Sequence, residues 1–154
     1  HSHTCVIVDT GALKCAGYSY YFGTWSGTIT LLADVDLSGL SAEAVSLGSR
    51  HTVVLLADGS VRVFGYCTNG QCGSGSTSFT SSGSSAVDLG GGKAKAVAAG
   101  AYHTVVLMQD GSVRAFGYNS NGQLGLGHSN NIGDGPGEMG ASLPPVDLGG
   151  LRAE

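Results

Sequence analysis

The unit HTVVLLADGSVRVFGY occupies positions 51–66, and thirteen of its sixteen residues recur in HTVVLMQDGSVRAFGY at positions 103–118. A looser copy, HTCVIVDTGALKCAGY, fills positions 3–18. Self-similarity at this period restricts the chain to stacked units, because one such unit is too small to bury its own apolar face and needs a neighbour to cover it. The spacings are as regular as the residues. His to turn Gly is eight residues in all three copies, that Gly to the next Gly-Tyr pair is six, and Val-Asp-Leu recurs at Val35, Val87 and Val146. His51 and His103 each lie sixteen residues beyond the preceding Val. Only the stretch from Tyr to Val varies, at 17, 21 and 28 residues.

The constant part reads as a β-hairpin. Val53 to Leu56 and Val61 to Phe64 are apolar and rich in β-branched residues, and Ala57-Asp58-Gly59 suits a three-residue loop whose last position is left-handed, as Gly permits. That loop sets Leu56 against Ser60 and therefore Val53 against Val63. The same register in the first copy centres the hairpin on Thr10 and places Cys5 opposite Cys15, at a separation of about 4.5 Å for a non-hydrogen-bonded pair. One cross-strand site is thus filled by Val53 with Val63, by Val105 with Ala115, and by Cys5 with Cys15. Both cysteines change together, which points to a disulfide; the alternative is a facing pair of buried thiols.

Cys67 and Cys72 change together as well. They stand where the third copy, GYNSNGQLGLG at positions 117–127, has Asn119 and Leu124. A C-x4-C pair is also half of a zinc site, but no second Cys pair and no H-x3-5-H is present to complete four ligands. Two local disulfides imply an oxidising, extracellular or cell-surface compartment.

With 27 Gly, 12% charged residues and many Ser and Thr, the composition favours short strands and turns, hence an all-β fold. The net charge of −4 and the scattering of seven Lys and Arg give no basic stripe, so no nucleic-acid partner is expected. No apolar run approaches the roughly 20 residues of a membrane-spanning helix, so no membrane insertion is expected either.

The run from His103 to Gly127, HTVVLMQDGSVRAFGYNSNGQLGLG, closely resembles the regulator-of-chromosome-condensation repeat. The resemblance is good from His51 and degraded in the first copy, where SYYFGTWSG at positions 19–27 lacks the N-G-Q-L-G core. The Cys-substituted form, HTC followed by LKC, resembles the secreted branch of the family. The resemblance implies a β-propeller, usually seven-bladed, with four strands per blade: two from the hairpin, Val-Asp-Leu as a third, and segments such as Ala44 to Leu47 and Ala96 to Ala99 as the fourth. The chain then reads as a single partial propeller, residues 1–154, with repeats at about 3–50, 51–102 and 103–154. Three blades do not close a ring. The first hairpin is expected to lack its fourth strand from this chain, with a longer parent or a neighbouring copy filling the place.

No catalytic residue, metal or cofactor is expected. His3, His51 and His103 recur at one repeat position, where bonding to neighbouring backbone accounts for them. Asp36, Asp88 and Asp147 read as strand ends, and Asp58 and Asp110 as turn residues. Gly90-Gly91-Gly92-Lys93 lacks the spacing of a phosphate loop, and in Asn119-Ser120-Asn121-Gly122 the Gly falls too early for a calcium loop.

Every length difference falls in the connection from Tyr to Val, so the insertions are expected to emerge on one side of the stack, the usual binding side of a repeat protein. They carry Tyr20, Tyr21, Phe22 and Trp25 in the first copy, Phe79 in the second and His128 in the third. The second also holds Ser76, Thr77, Ser78 and Thr80, candidates for O-linked sugar. The expected partner is protein, either other copies of the chain or the rest of a longer one. The expected function is a non-enzymatic structural or adhesive module of an extracellular protein, such as a subunit of a flagellar hair. The alternatives are a secreted inhibitor-like propeller and, against the cysteine pairs, a guanine-nucleotide exchange or chromatin-associated propeller.

Overall fold

Each copy of the repeated unit folds as the hairpin its register dictates. In a computed structural model, which describes residues 2–24 and 26–154, the first pairs β1 (His3–Ile7) with β2 (Leu13–Tyr18). β3 (Thr28–Asp34) follows, then β4 (Ala42–Leu47), β5 (His51–Leu56) and β6 (Val61–Gly65). The third unit is β7 (Ala94–Ala99), β8 (His103–Met108) and β9 (Val113–Gly117). These form three antiparallel sheets in the orders β1-β2-β3, β4-β5-β6 and β7-β8-β9, which are the blades of a β-propeller. Two single turns of 3-10 helix, at Ser19–Phe22 and Gly140–Ser142, are the helical content of the described residues. Val53 faces Val63, Val105 faces Ala115 and Cys5 faces Cys15, as the turn chemistry requires.

The blades have three strands each, not four, and the reason is local. Val-Asp-Leu does not extend a ladder. Val35, Val87 and Val146 each donate one backbone bond to the hairpin, to Leu13, Val61 and Val113 respectively. The following Asp then folds back: Asp36, Asp88 and Asp147 accept through Oδ1 from the amides of Ser38, Gly90 and Gly149 at 2.7, 3.0 and 2.8 Å. A carboxylate that satisfies the amide two residues on offers the backbone a turn in place of a strand. In blades 2 and 3 the outer edge is reduced to isolated bridges, Gly65 with Thr80, Gly117 with Ile132 and Arg114 with Pro145. Blade 1 instead uses β3 as its outer strand, and β1 has no inner strand beside it among the described residues.

The core lies between blades, not within them. Residues alternate along a strand, so β5 sends Val53 and Leu55 toward blade 3 and Val54 and Leu56 toward blade 1. The first pair packs with Val106, Met108, Phe116 and Leu143, the second with Leu13, Cys15, Phe22 and Phe64. Every residue of β5 is buried, whereas exposure alternates along β1 and β8.

Cys5 is bonded to Cys15 and Cys67 to Cys72, with Cα separations of 4.1 and 5.3 Å. The second bond has a counterpart in blade 3. There the Asn119 side chain accepts from the Leu124 amide at 2.9 Å and donates to the carbonyls of His128 and Asn130, both at 2.8 Å. The cysteines thus fasten covalently what Asn119 fastens by hydrogen bonds. Breaking this bond should lower stability by about 2 kcal/mol for the six-residue Cys67–Cys72 loop by the chain-entropy model. Urea unfolding of the Cys67→Ala, Cys72→Ala variant beside the wild type measures this with Cys5–Cys15 kept intact, and an unchanged midpoint contradicts it.

Candidate protein-interaction surface

The glycine that precedes each repeat tyrosine fixes where that tyrosine stands. Gly17, Gly65 and Gly117 have φ of 112°, 119° and 114°, and a Cβ on them would come within 2.3, 2.6 and 2.7 Å of backbone atoms. Only glycine fits that crossing. It lets the amides of Tyr18, Tyr66 and Tyr118 bond to Ser2, Arg50 and Tyr102, each at 2.8 Å, which carries every tyrosine to the same end of its blade.

The variable connections leave from this end and pack against one another. Ser82 of the second donates to the Gly23 carbonyl of the first at 3.1 Å, and Gly75 of the second donates to Gly133 of the third at 3.1 Å. The insertions therefore form one continuous layer across the blades. Within it the rings of Tyr20 and Tyr18 stack at 5.1 Å, Tyr18 meets Tyr21 edge-on at 4.9 Å, and Tyr21 meets Tyr66 at 6.5 Å. Phe79 reaches Tyr20 from the second insertion at 6.0 Å. Tyr18 and Tyr66 are both 39% exposed, and a shallow groove beside Tyr18 is lined by Ser2, Gly17, Tyr18, Tyr21 and Thr28. A second cleft, of about 560 Å³, lies between the insertions of blades 2 and 3, with Val63, Val87 and Met139 among its walls.

Among the residues singled out in the sequence, Tyr20, Tyr21 and Phe79 come together here. Phe22 does not: it is buried in the core between blades 1 and 2, where the 3-10 turn points it inward. Trp25 lies outside the described residues. His128 belongs to the blade 3 loop, its carbonyl held by Asn119 and its Nδ1 accepting from the Asn130 amide at 3.2 Å. Thr77 and Ser78 are exposed, while the Thr80 hydroxyl lies 3.2 Å from Cys67 Sγ, to which it donates because a disulfide sulfur has no proton. Tyr18 and Tyr66 join Tyr20, Tyr21 and Phe79, and the Gly-Tyr pair that closes every repeat is the sequence signal for both. Among the described residues no three His, Cys, Asp or Glu side chains converge on a point where an ion could sit. Among the described residues no helix is long and apolar enough to cross a membrane.

Two of the recurrent histidines, His3 and His51, have a side-chain partner on the next blade. His3 Nε2 lies 3.0 Å from Thr52 Oγ1 of the next blade, and His51 Nε2 lies 3.3 Å from Thr104 Oγ1. Each threonine hydroxyl donates back across the interface, Thr52 to Tyr21 O at 2.7 Å and Thr104 to Gln71 O at 2.8 Å. A carbonyl only accepts, so the hydroxyl proton is committed to it and the imidazole must donate through Nε2. Nδ1 of both rings is then bare, and it is buried without a partner among the described residues. Burial, with lesser contributions from the His3 and His103 rings, lowers His51 to about 4. Burial lowers His3 to about 4 as well.

The regulator of chromosome condensation repeat model matches residues 43–71 and 94–123, the second and third hairpins with their inner strands. The chain belongs to that repeat family. A zebrafish (Danio rerio) E3 ubiquitin-protein ligase, MYCBP2, is 44% identical over 86 residues, covering 56% of this chain and 2% of its own. The human X-linked retinitis pigmentosa GTPase regulator is 34% identical over 119 residues, covering 77% of this chain and 11% of its own. The chain therefore spans a small part of these curated relatives. Prp20p from Saccharomyces cerevisiae, solved together with a study of its binding to Gsp1p and histones, superposes with a TM-score of 0.73 at 17% identity over 96% of this chain and 36% of its own. Human WBSCR16 gives 0.72 at 20% identity over 94% of this chain and 35% of its own. At such identities these two structures establish the fold, and the repeats supply a scaffold for protein interaction.

Proposed function

We propose that this set of repeats is a non-enzymatic, extracellular protein-interaction module that binds its partner through the tyrosine-lined side formed by the variable insertions. The observation that carries the reading is the strip Tyr20, Tyr18, Tyr21, Tyr66. Tyrosines flanked by Ser, Gly and Thr supply large, rigid, amphipathic area at low entropy cost, the chemistry that protein-binding loops use. The two disulfides support an oxidising setting, and with it a structural or adhesive role at a cell surface, such as a filament subunit. The test compares the wild-type protein with a Tyr18→Ser, Tyr66→Ser variant in retention of extracellular proteins, after peptide mapping under non-reducing conditions. The expected result is Cys5–Cys15 and Cys67–Cys72 linkage and at least tenfold weaker retention by the variant. Free thiols in the secreted protein, or equal retention, would overturn the reading.

A second reading is favoured by one of the relatives, a GTPase regulator: an intracellular propeller that acts on a small GTPase. Acceleration of nucleotide release from a GTPase, by a protein whose four cysteines are reduced in the cell, would support it instead.

A further inference from the structure

The junctions of blade 1 with blade 2 and of blade 2 with blade 3 both lie inside the described chain, and each is a control for the other. In the first, the turn after Val-Asp-Leu reads Ser38-Gly39-Leu40-Ser41 before β4; in the second it reads Gly90-Gly91-Gly92-Lys93 before β7. The two turns are built alike. Ala42 donates to the Gly11 carbonyl and Ala94 to that of Gly59, both at 2.8 Å, and Ser41 and Lys93 lie against those same glycines. Each junction also receives an arginine from the third strand of the following blade, Arg62 in one and Arg114 in the other. Nε of both is buried with no partner among the described residues.

Around the two guanidinium groups the junctions part company. Arg62 is 7% exposed, and its Nη1 donates to Ser38 Oγ at 3.4 Å and to the Ser82 carbonyl at 3.3 Å. Arg114 is partly exposed and donates through Nη1 to the Leu143 carbonyl, but glycine stands where the first junction has Ser38 and Leu40. A cavity of about 290 Å³ opens here, with Gly91, Gly92, Lys93, Gln109, Asp110 and Arg114 in its walls. The turn that gives up two side chains also gains a charge, since Lys93 replaces Ser41. Among the described residues the ion pair is Lys14 with Asp34, so neither Lys93 nor Arg114 is paired with a carboxylate. Asp110 lies on the exposed side, and its Oδ1 is taken up by the amide and hydroxyl of Ser112 at 2.8 and 2.7 Å. Gly90, Gly91 and Gly92 have φ of 82°, 97° and 78°, and the amides of Gly91, Gly92 and Lys93 donate to no protein group among the described residues. This run leads into a strand and lacks the spacing of a nucleotide-binding loop; it supplies room, bare N–H groups and a cation at one place.

We propose that this cavity binds a phosphate or sulfate group, with Lys93 supplying charge and the Arg114 guanidinium and the glycine amides supplying directed donors. The occupant is an anion because the unpaired groups here are two cations and a row of N–H donors, and an oxyanion offers several acceptors to them at once. The first junction binds none, because Ser38 and Leu40 fill the corresponding positions. The cavity lies at the hairpin-turn end of the blades, away from the tyrosines, so it goes beyond the protein-binding role proposed above.

Calorimetric titration of the oxidised protein with inorganic phosphate, inorganic sulfate and a sugar sulfate, at one ionic strength set by sodium chloride, tests it. The expected result is 1:1 binding with a Kd below about 1 mM. Lys93→Ser, which installs the residue of the first junction, and Gln109→Glu, which adds a carboxylate to the wall from an exposed position, should each weaken binding roughly tenfold or more. Both should keep the circular dichroism spectrum. Lys95→Ser removes the same charge from an exposed residue outside the cavity and should leave binding unchanged, as should Tyr18→Ser, Tyr66→Ser. Equal affinity for sulfate and the sugar sulfate would assign the site to the group alone, and tighter binding of the ester would show that the remaining volume grips its carrier. No saturable heat up to about 10 mM of any of the three, binding indifferent to Lys93→Ser and Gln109→Glu, or an equal loss in Lys95→Ser would overturn the proposal.

Discussion

Thr104→Val should lower the free energy of unfolding by about 2–6 kcal/mol, although it removes no carbon and opens no cavity. The substitution keeps the shape of a side chain that is 0% exposed. It strands two buried groups, the Nε2 proton of His51 and the carbonyl of Gln71, both of which now use the Thr104 hydroxyl. An unsatisfied buried donor or acceptor costs about 1–3 kcal/mol, and two are created. The built-in control is Thr4→Val, the same substitution at the same repeat position where the side chain is exposed, which should change stability by less than about 0.5 kcal/mol. Equal effects at the two positions would show that the inter-blade bond contributes nothing and that only β-propensity is being measured.

Acidification should destabilise the protein between pH 6.5 and about 4. His51 titrates at about 4 in the folded chain against 6.5 when unfolded, so across that window the unfolded state holds more protons and stability rises with pH. The contribution is complete above 6.5, is lost progressively as pH falls, and changes no further below about 4. For His51 alone the loss is about 3 kcal/mol, from 1.36 kcal/mol per pKa unit. The cause is structural: a second proton would go to Nδ1, which is buried beside Gly48 with nothing to receive it. Unfolding midpoints at pH 7.5, 6, 5 and 4 measure the effect. His51→Gln can still donate to Thr104 but does not titrate, and should make this limb shallower, leaving the share that His3 and His103, both also lowered by burial, contribute. A parallel pH profile in that variant would place the acid sensitivity elsewhere. Asp58 and Asp110 act lower on the scale. Their carboxylates are held below the usual value chiefly by the hydroxyls of Ser60 and Ser112, so their support is present above the ordinary carboxylate range and lost only as pH falls through their lowered values.

The parts of this fold that the sequence makes legible are those in which cause and effect lie within one hairpin. Turn length determines register, register puts Cys5 opposite Cys15, and comparison of copies shows Cys67 and Cys72 replacing a pair that is already joined. What stays hidden depends on residues about fifty positions away. The threonine after each histidine reads as an ordinary strand former, because its partners, His3 and Tyr21 for Thr52, lie 49 and 31 residues off. Phe22 reads as part of an aromatic surface patch, because nothing local tells that its 3-10 turn directs it between blades while Tyr20 and Tyr21 stay outside. Val-Asp-Leu reads as a strand by its apolar ends, and the central carboxylate decides otherwise.

The fastening at Cys67–Cys72 separates two tasks that blade 3 combines. In blade 3 the Asn119 amide holds the insertion by gripping the carbonyls of His128 and Asn130, so the content of that insertion is part of what keeps its base folded. In blade 2 the base is closed by sulfur, and residues 74–85 are held above it at Gly75, Thr80 and Ser82 and by Phe79 against Tyr20. Between those anchors, at residues 76–78, the stretch can change in length and composition at little cost to the blade beneath. It is the place where a foreign peptide can be grafted and displayed beside the tyrosines, on a support whose closure is switched by reductant and not by the graft.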